Sequence, residues 1–186
     1  DQGSRVPLAI RWPEGIKNPG RVFPGLVNLS SLAPTFLKVA GLVVPDMMIA
    51  SSLQDVFEDK PEVARVSAFI AMERHDGCRK GGKGYPSRAI RTKDYMYILN
   101  HKPERWPAGN PDREFCARYI PFGEVDSSPT KSLLMDNKDK AGFEQFYNLA
   151  FAKRPAEELY DLTKDPEQII NFVGKRNYIQ IQKKLA

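Results

Sequence analysis

The strongest constraint on the fold lies in the middle of the chain, where two β-rich runs flank a short polar turn. The runs are residues 88–92 (RAIRT) and residues 95–99 (YMYIL), which contain β-branched and aromatic side chains. The polar segment between them, residues 92–94 (TKD), suits a tight turn. Two adjacent runs of this kind predict an antiparallel β-hairpin, so the fold must contain a sheet.

The segment before the hairpin combines a strand pattern with helix signals. Residues 6–10 (VPLAI) form a short apolar run that predicts a strand. Ser31 predicts the N-cap of a helix with Pro34 in its first turn, and Gly41 predicts the C-cap. The side chains expected to face inward are those of Leu32, Thr35, Phe36 and Val39. Residues 53–57 predict one further helical turn.

After this helical turn, the sequence predicts strands separated by loops and followed by a helix. Residues 64–71 predict a partly buried strand, and the glycine-rich residues 76–84 predict a loop. Residues 101–139 carry prolines at positions 103, 107, 111, 121 and 129, which predict an irregular segment. Residues 141–152 show helical spacing, and residues 158–162 predict a short strand.

The C-terminal residues favour helices. Asp165, followed by Pro166, predicts a helix N-terminus. Residues 177–185 predict a terminal amphipathic helix. The order of these elements predicts an α+β fold, or the tail of an α/β protein.

Composition is that of an ordinary globular protein, with 41% hydrophobic and 27% charged residues. The longest apolar stretch, residues 39–44, is far shorter than the ~20 residues that span a bilayer, so no membrane partner is expected. Composition shifts near Lys60–Pro61, which predicts one domain over residues 1–60 and another over residues 61–186. Because the sequence opens without an initiator Met or a signal peptide, it reads like the middle of a protein.

The charge of the chain is unevenly distributed. The formal net charge is only +5. A cluster of basic residues nevertheless lies within residues 74–93 and consists of Arg74, Arg79, Lys80, Lys83, Arg88, Arg91 and Lys93. Such a cluster attracts polyanions, among them nucleic acid, acidic lipid and sulfated polysaccharide. The alternative is a solvated basic loop without a ligand.

Several motifs resemble catalytic ones but lack essential residues. Residues 77–84 spell G-x-x-x-x-G-K-G, without the Ser or Thr that holds magnesium in a P-loop. The two histidines, His75 and His101, do not stand at metal-ligand spacing. Cys78 and Cys116 can form at most one disulfide. From local motifs alone, the chain is a basic α+β domain without a complete catalytic constellation.

Four blocks of the chain resemble sulfatases, and they occur in the order of that family. They are residues 1–13 (DQGSRVPLAIRWP), 26–37 (LVNLSSLAPTFL), 87–98 (SRAIRTKDYMYI) and 157–167 (EELYDLTKDPE). The resemblance implies the C-terminal part of an α/β alkaline-phosphatase-like sulfatase. In that part of the fold, a small antiparallel sheet is packed with helices, including a C-terminal helix.

Three shorter segments look like one branch of the sulfatases, the heparan N-sulfatases (N-sulfoglucosamine sulfohydrolases). They are residues 73–75 (ERH), 85–88 (YPSR) and 105–109 (RWPAG). The resemblance implies hydrolysis of sulfate esters or N-sulfates of sulfated sugars, with heparan-type glucosamine favoured, in glycosaminoglycan degradation. Related branches act on O-sulfate esters, so N- and O-sulfate specificity both stay open.

The chain also departs from the sulfatase pattern. Ser31 stands where the family usually has Asp, and residues 49–53 (IASSL) replace a glycine-arginine-serine-leucine stretch. The nucleophile motif, Cys or Ser followed by x-Pro-Ser-Arg, is absent. Residues 84–88 (GYPSR) copy only its end, and Gly84 has no side chain that can become formylglycine. The resemblance therefore places the formylglycine and the calcium ligands upstream of Asp1, and this chain alone is expected to be inactive.

The resemblance implies that this part of a sulfatase contributes to substrate recognition. The predicted substrate-binding residues are Arg74, His75, Tyr85 and Arg88, with no catalytic or metal-binding residue in the chain. Alternatively, Arg88 pairs with a carboxylate inside the sheet and Tyr85 packs against it.

The expected partners are a sulfated saccharide and the N-terminal sulfatase region, not nucleic acid, and the expected location is periplasmic or secreted. The competing hypotheses are a non-catalytic glycosaminoglycan-binding module and a purely structural domain whose basic loop faces solvent.

Overall fold

The computed structural model describes residues 3–60, 64–116 and 119–186. The chain divides into two compact units. The first consists of Asp1–Phe69 and Arg91–Lys93, and the second of Ile70–Ile90 and Asp94–Ala186. The predicted division into domains at Lys60–Pro61 stays a prediction, and Pro61 lies outside the described residues. Within the described ranges, no helix has the length and apolar character needed to cross a membrane.

The first unit contains two short helices, α1 (Leu32–Val39) and α2 (Gln54–Phe57). Both were expected from the sequence. The Thr35 hydroxyl joins them, because its Oγ1 donates to the Ser31 carbonyl at 2.5 Å and accepts from the Leu53 amide at 2.8 Å. These two bonds turn the Thr35 face of α1 toward the start of α2.

The prediction that these α1 side chains face inward is correct for Thr35, which is buried. It is wrong for Phe36 and Val39, which are 63% and 40% exposed. Successive helix residues point about 100° apart, so Phe36 lies off the face that Thr35 fixes. Since α2 is a single turn, the described part of this unit covers only a narrow strip of α1. The C-cap is Ala40 and not the predicted Gly41, which follows it and terminates the helix with φ +70° and an amide that donates to the Lys38 carbonyl at 3.0 Å.

The predicted strand at residues 6–10 is wrong. The structure assigns no strand there, and the side chains of Val6, Leu8 and Ile10 are exposed. A strand needs a neighbour to satisfy its backbone groups, and the described part of the chain pairs none with this segment. Apolar content alone therefore did not decide the conformation.

Four strands form one antiparallel sheet in the order β1-β2-β3-β4. They are β1 (Ser67–Met72), β2 (Ser87–Thr92), β3 (Tyr95–Asn100) and β4 (Glu157–Asp161). The predicted hairpin is confirmed as β2 and β3. The strand predicted at residues 158–162 is confirmed as β4, which pairs with β3 although the two strands are distant in sequence.

The register of β3 and β4 shows which side chains lie on each face of the sheet. Tyr97 pairs with Leu159, and both pack with Tyr178 in one buried cluster. The helix α5 (Ile179–Leu185) follows Tyr178, which confirms the predicted terminal helix. Because side chains alternate along a strand, Ile98 and its partner Glu158 project from the opposite face.

A second cluster lies outside the sheet and is built on aromatic residues. Phe122 and Phe151 stack with ring centroids 4.8 Å apart, and Ala108 is buried beside them. Phe151 ends α4 (Glu144–Phe151), which confirms the helix predicted at residues 141–152. This cluster anchors the long connection between β3 and β4.

A helix was missed within the segment predicted to be irregular. The N-cap of α3 (Pro129–Asp136) is Ser128, whose Oγ accepts from the Lys131 amide at 3.1 Å. A serine followed by proline is a good helix start, but the prolines before it obscured the signal.

The helix predicted after Asp165 is absent. The Asp165 carboxylate accepts from the Ile170 amide at 2.7 Å and closes a turn. Gln168 lies within this turn at φ +58°, a left-handed conformation that interrupts a helix. Asp165 therefore stabilises a turn instead of capping a helix.

Candidate functional site

A cleft of about 180 Å³ opens in the second unit, on the side of the sheet from which Ile98 and Glu158 project. Most of the residues that line it are polar or charged, although the surface that they expose to the cleft is largely apolar. The lining residues are Met72, Glu73, Arg74, His75, Arg79, Tyr85, Ser87, Ile98, Asn100, Pro107, Glu124, Arg154 and Glu158. The cleft therefore combines strand residues with residues of the loop that joins β1 to β2.

Arg79 and Glu124 form a buried ion pair in the wall of the cleft. Arg79 Nη1 lies 2.7 Å from Glu124 Oε1, and the arginine side chain is only 4% exposed. The same guanidinium donates to the Trp106 carbonyl at 2.7 Å and to the Pro107 carbonyl at 2.6 Å. Arg79 is thus neutralised by Glu124 and holds the loop against the segment around Trp106.

Glu124 is positioned by the buried Lys131 of α3. Lys131 Nζ donates to the Phe122 carbonyl at 3.0 Å and to the Val125 carbonyl at 2.7 Å, on either side of Glu124. Burial lowers the pKa of Lys131 from its ordinary value. The helix that was missed in the sequence therefore helps to build the wall of the cleft.

His75 is oriented by the same carboxylate. Its Nδ1 lies 3.0 Å from Glu124 Oε2, while its side chain stays 69% exposed. Because a carboxylate only accepts, Nδ1 carries the hydrogen of this bond, and Nε2 is left unused by Glu124. His75 can therefore offer Nε2 to a ligand hydroxyl at the rim of the cleft.

Tyr85 carries a polar atom that the described part of the protein does not satisfy. The residue is only 6% exposed, and its Oη has no hydrogen-bond partner among the described residues. Burial, together with the charge of Glu158, raises the pKa of Tyr85 to about 12, so its hydroxyl is neutral at physiological pH. An unsatisfied buried hydroxyl costs about 1–3 kcal/mol. A ligand oxygen that accepts from Oη would remove this cost.

The backbone around Tyr85 is held closely. Its amide donates to the Glu73 carbonyl at 2.8 Å. A Cβ on the preceding Gly84 would lie 2.4 Å from that same carbonyl oxygen, which only glycine avoids. Arg105 Nη1 donates to the Gly84 carbonyl at 2.8 Å. The Tyr85 ring is thus fixed before any ligand arrives.

The sheet supplies a buried polar floor. Asn100 Nδ2 donates to Glu158 Oε1 at 2.8 Å, and Tyr160 Oη donates to Glu158 Oε2 at 2.5 Å. Burial and the bond to Glu158 raise the pKa of Tyr160. The carboxylate of Glu158 is therefore satisfied by the protein and forms a fixed negative group beneath the cleft.

The structure brings three of the four predicted site residues together. Arg74, His75 and Tyr85 line the cleft, whereas Arg88 does not. Arg88 instead pairs with Glu73, and the side chains are 47% and 63% exposed. The binding roles of all four residues stay predictions.

Sequence reasoning missed several residues of the cleft. Arg79 appeared only as one member of the basic cluster, and Glu124, its partner, is 45 residues away. Asn100 and Glu158 are separated by 58 residues. No local pattern marks such pairs, because the fold alone brings them together.

The described residues do not fit a calcium site. One group of potential metal ligands lies within 4.8 Å of one another and consists of Asp76, Cys78 and Cys116. Calcium takes six to eight oxygen ligands, whereas two of these three groups are thiols. We therefore assign no calcium ligand among the described residues.

Comparison with a solved structure identifies the fold. The chain matches a "4S-sulf" protein from work on the metabolism of multiple glycosaminoglycans by Bacteroides thetaiotaomicron, with a TM-score of 0.51 and 19% identity. The match covers 94% of this chain and 28% of the other. The predicted fold, the C-terminal part of a sulfatase with a small antiparallel sheet and a C-terminal helix, is confirmed.

The family follows from the sequence match. Residues 1–107 match the family described as N-sulphoglucosamine sulphohydrolase, C-terminal, and the chain belongs to that family. This confirms the sulfatase resemblance of the sequence blocks.

Two curated relatives are similar along the whole chain. An ulvan-active sulfatase of Formosa agariphila is 28% identical over 185 residues, which covers 100% of this chain and 32% of the relative. An N-acetylglucosamine-6-O-sulfatase of Bacteroides thetaiotaomicron is 24% identical over 188 residues, covering 100% of this chain and 24% of the relative. The chain thus spans a third or less of the length of these relatives.

Proposed function

We propose that this chain is the C-terminal region of a sulfatase that hydrolyses sulfate groups of sulfated sugars, and that its cleft holds part of the sugar. The family match and the two curated sulfatases support the activity. The observation that carries the role of the cleft is Tyr85 Oη, a fixed and buried hydroxyl without a partner in the described structure. A sugar hydroxyl or a sulfate oxygen is the acceptor that it lacks.

Two guanidinium groups are available for the anion. In the described part of the chain, neither Arg74 nor Arg154 forms a salt bridge. Arg74 donates to the Gly82 carbonyl at 3.1 Å, and Arg154 donates to the Leu149 carbonyl at 2.7 Å. Their positive charges are therefore uncompensated at short range, unlike that of Arg79. A planar guanidinium matches a pair of sulfate oxygens, so these two arginines are the proposed sulfate or carboxylate contacts.

The finer proposal is a glucosamine substrate of the heparan type. The description of the matched family and the glucosamine-sulfatase relative support it, whereas the ulvan-active relative favours a different polysaccharide. His75 suits a hydroxyl or amine of the sugar, since Nε2 is the nitrogen that Glu124 leaves unused. Arg88 belongs to this proposal only as a rim residue, because its guanidinium pairs with Glu73.

The proposal also requires a nucleophile and a cation. When bound, the formylglycine and calcium that the family resemblance implies would supply a nucleophile and neutralise the charge of the sulfate oxygens, and we assign neither group to the described residues. A periplasmic or secreted location is proposed on the same family grounds. In this proposal, the residues of the cleft bind and orient the sugar.

A non-catalytic glycosaminoglycan-binding module is the second candidate. Lys80 and Lys83 are both exposed in the basic loop, which favours it. However, Arg79 is neutralised by Glu124 and Arg88 by Glu73, so the basic cluster presents less charge than the sequence suggests. Such a module would bind heparin with a steep salt dependence and without hydrolysis.

The test joins this chain to the upstream region of its gene, with an intact formylglycine motif. Sulfate release is measured with N-sulfated glucosamine, 6-O-sulfated glucosamine and an aryl sulfate. We expect turnover of at least one sulfated glucosamine. If the protein is retained on heparin but releases sulfate from none of the three substrates, the enzyme proposal is wrong and the binding-module hypothesis is supported.

The role of the cleft is tested in the same active protein. Tyr85→Phe is expected to raise KM for the sugar about 5- to 20-fold, the value of one lost hydrogen bond. Tyr147→Phe is the matched control, because it deletes a hydroxyl in the cluster around Phe122 and not in the cleft. An unchanged kcat/KM for Tyr85→Phe, with sulfate release intact, would contradict the cleft assignment and leave the enzyme proposal standing.

A further inference from the structure

We propose that Cys78 and Cys116 form a disulfide bond that fastens the β1–β2 loop to the segment leading to Glu124. In the structure, the two Sγ atoms lie 2.8 Å apart and are not joined by a disulfide. The two residues are 0% and 2% exposed. Neither the family match nor the relatives assign a role to these cysteines, and the proposal does not depend on sulfatase activity.

The sulfur geometry favours a disulfide over a shared metal ion. Two thiolates on one tetrahedral zinc ion, each at ~2.3 Å, stand about 3.8 Å apart. The observed 2.8 Å is well below that value and closer to the ~2.05 Å of a disulfide. Only Asp76 completes the group of potential ligands among the described residues, which is one fewer than a closed zinc site requires.

The surroundings are shaped for two adjoining sulfur atoms. A Cβ on Gly123 would lie 2.2 Å from Cys116 Sγ and 2.3 Å from Cys78 Sγ, so only glycine leaves space for the pair. The Asn110 amide donates to the Cys78 carbonyl at 2.7 Å, which brings the neighbouring backbone close. The two cysteines therefore meet in a fixed and enclosed position.

The bond would support the wall of the cleft. Cys78 directly precedes Arg79, whose guanidinium binds Glu124 and the Trp106 carbonyl. His75 and Asp76 lie just before Cys78 and also contact Glu124. A covalent link at Cys78 therefore keeps this network together when individual hydrogen bonds open.

Formation of the bond needs an oxidant, and we name a low-molecular-weight disulfide, oxidised glutathione. One cysteine thiolate attacks a sulfur of oxidised glutathione and releases one reduced glutathione, leaving a mixed disulfide. The second cysteine thiolate then attacks the protein sulfur of that mixed disulfide and releases the second glutathione. The two thiols lose two protons and two electrons, and oxidised glutathione gains them.

The exchange belongs to folding and not to the finished fold. Burial, together with Cys116, raises the pKa of the Cys78 thiol to about 12, so Cys78 holds almost no thiolate in the folded chain at neutral pH. The thiols must therefore react while the loop is still open. Once closed, the bond is shielded from reductants by the same burial.

The experiment refolds the complete chain from denaturant, in mixed reduced and oxidised glutathione or in reductant alone. Intact mass should be lower by two hydrogen atoms in the oxidised sample, with no thiol alkylated after denaturation. Proteolysis should yield one linked peptide pair containing Cys78 and Cys116. For residues 38 apart in sequence, loop entropy predicts a Tm about 8–16 °C above that of the reduced chain.

The double variant Cys78→Ser/Cys116→Ser is the control, whose mass and Tm should not respond to glutathione. If that variant fails to fold, the mass and alkylation results on the unchanged chain still decide. Two alkylatable thiols after oxidative refolding would overturn the proposal. So would one zinc ion retained per chain after refolding with zinc chloride, with both thiols protected by the metal.

Discussion

The buried pair of Arg79 and Glu124 supports the sharpest prediction on stability. Arg79→Ala removes three hydrogen bonds donated by the charged guanidinium, one to the Glu124 carboxylate and two to the neutral carbonyls of Trp106 and Pro107. It also leaves a carboxylate that is largely buried, since the Glu124 side chain is 11% exposed. We expect the free energy of unfolding to fall by about 3–5 kcal/mol, the usual cost of breaking a buried ion pair from one side.

The expected loss stays at that level because Glu124 keeps two other contacts. His75 Nδ1 and the Asp76 amide still reach Glu124 Oε2, at 3.0 and 3.1 Å. Summing three hydrogen bonds at full strength would therefore overestimate the effect. A loss of about 3–5 kcal/mol is a large part of the ~5–15 kcal/mol that stabilises a typical domain.

The measurement is urea unfolding followed by circular dichroism, with the oxidation state of the cysteines held constant. Arg88→Ala is the matched control, because Arg88 also pairs with a glutamate but on the surface. It should cost less than about 1 kcal/mol. Arg79→Lys should lie between the two variants, since it keeps the charge but lacks the planar guanidinium whose separate nitrogens reach all three acceptors.

Two results would refute this reasoning. One is a loss below about 1 kcal/mol for Arg79→Ala, which would mean that water replaces the guanidinium without cost. The other is an equal loss for Arg79→Ala and Arg88→Ala, which would show that burial does not set the strength of these pairs.

Three further predictions concern stability. Tyr85→Phe should raise the free energy of unfolding of the ligand-free protein by about 1 kcal/mol, because it removes the unsatisfied Oη; a destabilised variant in urea unfolding would mean that the hydroxyl is satisfied. Burial raises the pKa of Asp161, but bonds from Thr163 and Tyr178 outweigh it and lower the pKa to about 2. Ionised Asp161 should therefore contribute about 2 kcal/mol to the free energy of unfolding above pH ~4, and this contribution should disappear as the pH falls toward 2. The unfolding curves of the wild type and Asp161→Asn should accordingly converge in acid. Phe122→Ala should cost about 3–5 kcal/mol, since Phe122 is buried against Phe151; thermal melts that match the wild type would contradict this packing.

The sequence by itself determined those elements whose signals are local. The β2–β3 hairpin follows from β-rich runs on either side of a polar turn, and α1 stops two residues before Gly41, which accepts a positive φ. The sulfatase family was also visible in the sequence, as ordered blocks of residues. These features depend on neighbours a few positions apart, so a single sequence is enough to reveal them.

Local signals were insufficient where a segment depends on partners. Residues 6–10 have the composition of a strand, yet the described structure pairs them with none. Asp165 has the chemistry of a helix cap, yet its carboxylate closes a turn at Ile170. In each case the conformation follows from the contacts that the segment finds, and not from its propensity.

Only the tertiary structure decided the cleft. It joins Arg79 to Glu124 across 45 residues, Cys78 to Cys116 across 38, and Asn100 to Glu158 across 58. It also separated Arg79, which is buried and neutralised, from Arg74, which lines the cleft without a carboxylate partner in the described chain. The physical reason is that charge and hydrogen-bonding capacity are written in the sequence, whereas burial and pairing, which determine their effect, arise only when the chain folds.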